Sequence, residues 1–424
     1  MEKSIQVKSF PASNGESFLI KCVGEKSTNI LIDCGYISTY KVMESELHNL
    51  KKNNEKIDLM VLTHIDNDHI NGARSILKDY VNDKICEISE IWYNDFFSIY
   101  DIEGCSDENR TQEEFKLLKE IIEQKYPNDP NLFKEEVVGY KSANTLVDCL
   151  QNEKIHNIIN KSRKPCILVE NKETIEKSIW INDEVEIILL GPTKEVLVQL
   201  LEEWRKHLNE KGFKEEVVKS KKIAKAFELF YVNKIEEMSL RENIEKQCSV
   251  RTKLEELLEF NESDAKLENR SSISFILRFY DKYLLFLGDS SPLDYEDVLE
   301  KMAQATPDNK LKFDLVKVSH HGSKFNTSNK FFDLVTSDKY IISTNGRGTH
   351  NHPDLEAILK IICNQKEDKL IKFNYKPDKI INFINKNKLY QTYNFKLEYE
   401  NSSLLGVKVM NTVIKDEVKG ESNE

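Results

Sequence analysis

Six of the nine histidines in this 424-residue chain fall in three close pairs, and each pair follows a short apolar run. Residues 56–62 lead into His64 and His69, residues 313–318 into His320 and His321, and residues 339–343 precede His350 and His352. Apolar runs of this length read as buried strands. For three strand ends to act together, the strands must lie side by side with their ends gathered at one edge. Layered α/β proteins place their sites in that way.

The rest of the pattern predicts the same class of fold. Residues 5–10, 17–23 and 29–33 read as strands, separated by Asn14-Gly15 and by a turn over 24–27. A helix starts over 71–77, and 87–93 returns to strand character. Residues 107–163 are charged and helical in pattern, broken at Pro127-Asn128-Asp129-Pro130. Strands resume at 166–169, 177–181 and 185–190. Residues 194–260 are again helical at period 3.6: Leu197, Leu200, Leu201 and Trp204 share one face, and Ile223, Ala226, Phe227 and Phe230 another. Strands 272–280 and 283–287 form a hairpin around Asp281-Lys282. Helix 295–304, strand 313–318, helix 329–336, strand 339–343 and helix 354–362 follow, and 390–410 reads as a closing strand pair.

The expectation is an α/β (α+β layered) domain with two helical insertions. Residues 1–106 supply its first half, 107–163 the first insertion, and 164–193 further strands. Residues 194–262 are the second insertion, 263–414 the second half, and 415–424 a disordered tail. The insertions read as core-facing helices, with a lid or a protein-partner surface as the alternative.

Composition narrows the function. The formal net charge is −11, from 61 Lys and Arg against 72 Asp and Glu, which excludes a general polyanion binder but leaves room for a local basic groove. Eight cysteines, none in a C-x-x-C pair, read as reduced thiols of a cytoplasmic protein. No stretch has the apolar length of a membrane span.

The chemistry concentrates at His64-Ile65-Asp66-Asn67-Asp68-His69. Imidazole nitrogen and carboxylate oxygen are good ligands for divalent ions, and four of them within six residues can serve two ions close together. Asp68 alone would also suit a helix cap. Gly288-Asp289 ends an apolar strand, where a carboxylate can bridge two ions or simply form a turn. In Ser319-His320-His321-Gly322-Ser323-Lys324, one histidine can bind metal while its neighbour faces substrate. From His350-Asn351-His352-Pro353, one histidine can reach the site from its rim. His48, His156 and His207 lie in charged helical stretches and read as ordinary surface or core residues.

This set resembles the metallo-β-lactamase superfamily, whose αβ/βα sandwich carries two metals at one edge. Asn14 to Ile20 resembles its first strand turn. Leu31-Ile32-Asp33-Cys34-Gly35 resembles a strand end whose acid, Asp33, supports the metal site from behind. Asp66, where the superfamily usually has histidine, is similar to the branch that contains the ComEC-type competence hydrolase domain. So are Asn269-Arg270-Ser271-Ser272, Gly288-Asp289, His320 to Lys324 and His352-Pro353. The competence protein is a membrane channel, so a DNA-uptake role does not carry over. A separate histidine between the first cluster and Gly-Asp is also missing here.

The resemblance implies hydrolysis with two divalent ions, Zn²⁺ or Mn²⁺. His64 and Asp66 would hold one ion and Asp68, His69 and His320 the other, with Asp289 between them and His321 or His352 completing the first. Asp68 would orient the attacking water, and His321 or His352 would stabilise the oxyanion or protonate the leaving group. Lys317, Lys324 and Arg347 are the cations nearest the motifs for binding phosphate. The substrate class implied is a phosphodiester, in a nucleic acid or a small molecule. The alternatives are a small ester, lactone or nucleotide, or a metal-binding scaffold with little turnover.

Overall fold

Apolar side chains at period two sort the strands into two sheets with distinct faces. The computed structural model describes residues 3–102, 145–172, 175, 177–210, 221, 223–232, 234, 254–347, 351–364, 368–399 and 410–415. The strands of the first half are β1 (Ser4–Ser9), β2 (Phe18–Val23), β3 (Ser27–Ile32), β4 (Leu59–Val61), β5 (Ile91–Trp92), β6 (Ile179–Trp180) and β7 (Val185–Gly191). Those of the second half are β8 (Ser274–Phe279), β9 (Lys282–Phe286), β10 (Leu311–Phe313), β11 (Leu315–Lys317), β12 (Val335–Ser337), β13 (Lys339–Ile342), β14 (Lys369–Phe373), β15 (Phe395–Tyr399) and β16 (Met410–Lys415). One sheet has the order β16-β1-β2-β3-β4-β5, and the other β15-β14-β13-β11-β9-β8-β7-β6.

The two sheets pack face to face. Phe18, Ile20, Ile30, Ile32, Leu59 and Val61 point inward from the first and meet Ile187, Phe275, Leu277, Phe286 and Ile341 of the second. The alternate residues point outward on to helices. Leu31, Met60 and Leu62 meet Met43 and Leu47 of helix Ile37–Lys52 and Ile76 of helix Ala73–Val81. Leu285, Val316 and Tyr340 meet Val298 and Leu299 of helix Pro292–Ala303 and Ile358 of helix Leu355–Cys363. Three separate apolar clusters therefore fill three interlayer spaces, giving an αβ/βα sandwich. Among the described residues no helix is long and apolar enough to cross a membrane.

Several local expectations need correcting. Residues 166–169 form no ladder beyond one bridge from Val169 to Thr193. The Asn94 amide binds both the N–H and the C=O of Ile167 instead, at 2.8 and 2.7 Å. The run 313–318 is split at Asp314 between a small two-stranded sheet and the large one. Of the closing pair expected over 390–410, β15 lies parallel to β14 and residues 400–409 lie outside the described residues; β16, which starts at Met410, lies antiparallel to β1 in the other sheet. Helices Ile37–Lys52 and Asp378–Lys386 and strand β14 are additional elements. Residues 107–144 of the first insertion, part of the second, and 416–424 lie outside the described residues.

A candidate metal centre at the strand ends

The strand ends meet as the histidine pairs require. β3 runs into Asp33, β4 into Thr63 and His64, β9 into Gly288 and Asp289, and β11 into Ser319, His320 and His321, all at one edge of the sandwich. β3 is parallel to β4, and β9, β11 and β13 are parallel in turn, so all these C-terminal ends point the same way. The Thr63 carbonyl accepts from Ile273 N–H at 2.8 Å and ties the two sheets together at this edge.

Several of these residues leave their strands in the left-handed region. Asp33 has φ 52°, Gly288 53°, His320 46°, His321 54° and Gly322 83°. Such conformations cost ~1–3 kcal/mol each for residues with a side chain and persist where surrounding contacts enforce them. Here they turn the side chains of consecutive residues back toward one point.

That point is one oxygen. The Nε2 atoms of His69, His320, His321 and His64 lie 3.4, 3.6, 3.6 and 3.9 Å from Asp289 Oδ2. Asp68 lies alongside, with Oδ2 3.4 Å from His321 Nε2 and Oδ1 3.8 Å from His69 Nε2. Among the described residues four triplets of donor atoms each gather within 4.8 Å: His64, His69 and Asp289; Asp68, His69 and His321; and two that include Glu16, one with Asp289 and His321 and one with Asp33 and His69. All of these residues are buried.

The far side of each ring is tied to an acceptor. His69 Nδ1 is 2.8 Å from Asp33 Oδ2, His321 Nδ1 2.8 Å from the Ser343 carbonyl, and His320 Nδ1 3.0 Å from Asn326 Oδ1. His64 Nδ1 is 3.0 Å from Thr63 Oγ1, whose hydroxyl donates to Asp33 Oδ2. The Asn326 amide is oriented because its nitrogen donates to the carbonyls of Asp289 and Ser290 at 3.0 and 3.2 Å. This network assigns the neutral-ring proton to Nδ1 and leaves the Nε2 lone pair facing the centre. The Nε2 atoms of His64, His69 and His321 are buried without a hydrogen-bond partner. Orphaned ring nitrogens of that kind, beside carboxylates, fit a divalent ion.

The buried carboxylates and rings shift one another's charge states. Burial alone would lower the His69 pKa, yet the carboxylates of Asp289, Asp33 and Asp68 outweigh it and hold the ring well above its ordinary value. Burial, helped by His69, pushes His64 down to about 3. Burial would raise Asp289, but His69, His320 and His321 keep its carboxyl well below the usual range. Burial and the Asp68 charge push Asp66 well above it. Asp66 caps the short helix Asn67–Ile70 through its carbonyl and joins none of the donor triplets.

The other expected residues are placed as follows. His352 Nδ1 is 3.3 Å from Asp354 Oδ2, and its ring centroid is 5.1 Å from that of His320. Lys324 Nζ is 3.5 Å from Glu356 and 4.5 Å from the Phe260 ring. Arg347 is exposed in the loop after β13. Lys317 is buried between the sheets against Glu16. His350 lies outside the described residues.

Asp264 is not singled out from the sequence, and the motif Asn269 to Ser272 is given no contact there. Asp264 faces His320 Nδ1 at 3.6 Å and accepts from Asn269 at 2.6 Å, and Ser272 Oγ accepts the Asp289 N–H at 3.1 Å. The run Asn269 to Ser272 thus supports two residues of the centre. Lys317 is a lone charge inside an apolar strand run, a signal that sequence can carry.

Residues 11–91 match the family model of the metallo-beta-lactamase superfamily. No curated protein matches the chain. Among solved structures it is similar to the metallo-beta-lactamase fold protein YhfI from Bacillus subtilis, at 9% identity over 97% of this chain and 100% of that one, with a TM-score of 0.35. The fold is the mixed α/β sandwich of the metallo-β-lactamase type.

Proposed function

We propose that this chain is a metal-dependent hydrolase that cleaves phosphodiesters with two divalent ions, Zn²⁺ or Mn²⁺. The convergence of four imidazole Nε2 atoms on Asp289 Oδ2 carries the reading. The superfamily match over residues 11–91 supports the reaction class.

An imidazole nitrogen has one lone pair, so His69 serves one donor triplet at a time. Asp68, His69 and His321 with Asp289 make a four-donor set, the usual complement of a tetrahedral site. His64 and Asp289, with His320 or Asp66, are left for a second and weaker ion. A bound divalent ion supplies Lewis acidity and a nucleophile at neutral pH. Asp68, accepting from Asn14 Nδ2 at 3.4 Å, is held to orient that nucleophile. His352, paired with Asp354, stands on the rim as the proton donor to a leaving group, and Arg347 and Lys324 are the nearby cations for a phosphate.

Asp68 and Asp289 put two carboxylates in the donor set, which favours hard ions such as Mn²⁺ beside Zn²⁺. The same acids, with the likeness of the motifs to the ComEC-type branch, favour a phosphodiester. A second reading, a small ester, lactone or nucleotide, draws on the engagement of Lys324 by Glu356 and on the net charge of −11. Metal analysis of the purified protein, then hydrolysis assays with Mn²⁺ and Zn²⁺ on single-stranded, double-stranded and cyclic-nucleotide substrates, separate the readings. Cleavage of a nucleic acid that falls steeply with added salt supports the first. Salt-insensitive turnover of esters alone refutes it.

A further inference from the structure

A pair of opposite charges is buried beneath the donor set, where the two sheets meet. Glu16 stands just before β2 and Lys317 ends β11, and each side chain is 1% exposed. The Lys317 ammonium is salt-bridged to Glu16 Oε2, donates to the Gly288 carbonyl at 2.8 Å and lies 3.7 Å from Asp289 Oδ1. Asp289 therefore shows Oδ1 to the ammonium and Oδ2 to the four rings. The Glu16 carboxylate stands behind two of those rings, 3.5 Å from His321 Nδ1 and 3.8 Å from His69 Nδ1.

Stability does not account for the pair. Removing two charges from water costs about what their attraction returns, and well-packed apolar residues often do as well. Position accounts for it better, because every contact falls on a residue that carries or precedes a candidate ligand. The turn before Glu16 is also pressed on Asp68. A Cβ at Gly15 would lie 2.1 Å from the Asp68 carbonyl oxygen, and Glu16 N–H donates to that oxygen at 3.2 Å.

We propose that Glu16 and Lys317 are a positioning pair that holds the Asp289 carboxylate with Oδ2 toward the rings, so that the centre takes a divalent ion at full affinity. The proposal rests on the metal-centre reading above. Neither side chain touches the reacting atoms. Asp33 and Ser343 already fix the rings of His69 and His321, so the pair acts on the carboxylate that joins the two donor groups.

The test is the full chain carrying Glu16→Gln and Lys317→Met together, which removes both charges at nearly constant volume. Melting temperature without metal and affinity for Zn²⁺ and Mn²⁺, by competition with a chromophoric chelator, are read side by side. The proposal expects the double variant to melt near wild type and to bind the ions 10–100-fold more weakly, the usual loss when a residue supporting a ligand is removed. Wild-type affinity in the folded double variant overturns it, whatever the melting temperature. Should the double variant not fold, Glu16→Gln alone decides on the same readout: weaker binding by about tenfold supports the pair, and unchanged binding overturns it. A wild-type protein that binds neither ion overturns the metal-centre reading itself, and the pair falls with it.

Discussion

Replacing Asp33 by Asn tests the ring-orienting network with almost no change of shape. Asp33 is fully buried and accepts three hydrogen bonds at 2.8 Å: from Thr63 N–H, from Thr63 Oγ1–H and from His69 Nδ1–H. An amide keeps one acceptor, and the Thr63 N–H claims it. The NH₂ group then faces His69 Nδ1, which must become an acceptor, so the ring proton moves to Nε2 and points at Asp289. The Thr63 hydroxyl reverses as well, and His64 loses its acceptor. Blocking one ligand lone pair and freeing another should weaken Zn²⁺ binding 10–100-fold, or roughly 1.4–2.7 kcal/mol. Losing one or two charge-assisted bonds should lower metal-free stability by roughly 2–4 kcal/mol. Chelator competition gives the first quantity and denaturant melts the second. Nitrogen-15 spectra of the imidazoles report the tautomer. An Asp33→Asn protein that binds within about twofold of wild type, with His69 still protonated on Nδ1, would refute the reasoning.

Other consequences follow from single residues. Asp68→Ala should abolish turnover on every substrate the wild type cleaves while circular dichroism stays unchanged; full activity in that variant contradicts the mechanism. Gly15→Ala should push Asp68 away, because its Cβ would meet the Asp68 oxygen and Cβ at 2.1 and 2.7 Å, and kcat should fall at least tenfold with the fold intact. Burial raises the Glu228 carboxyl to about 7, against the N–H groups of Leu146 and Val147 that bind it. A raised folded pKa gives stability that is complete below the unfolded value of 4.5 and is lost as pH rises through about 7. Relative to Glu228→Gln, the wild type should therefore lose ~3 kcal/mol between pH 4.5 and 7.5. Parallel urea melts of the two proteins across that range measure it, and parallel curves would rule it out.

The sequence made the centre legible because its strands announce their own ends. Apolar runs stop at His64, Asp289 and His320, and period-two alternation then fixes which side chains enter the sandwich. Strand partners were less legible. β15 lies within the expected closing pair, yet it bonds to β14, and β16 bonds to β1 in the other sheet, which only distant residues decide. The run 166–169 is held by the Asn94 side chain, a partner that no local pattern names. At the centre, adjacent His320 and His321 could not be told apart in sequence. Consecutive left-handed backbones give them different neighbours: His321 faces Asp68, and His320 is braced by Asn326 and Asp264.

Calorimetric titration of the metal-free protein with Zn²⁺ and with Mn²⁺ tests the central claim most directly, with His69→Ala as its partner. The account expects wild type to take up one ion tightly and a second more weakly. It expects His69→Ala to lose the tight step. A wild type that binds neither ion, or a His69→Ala protein that binds as wild type does, contradicts it.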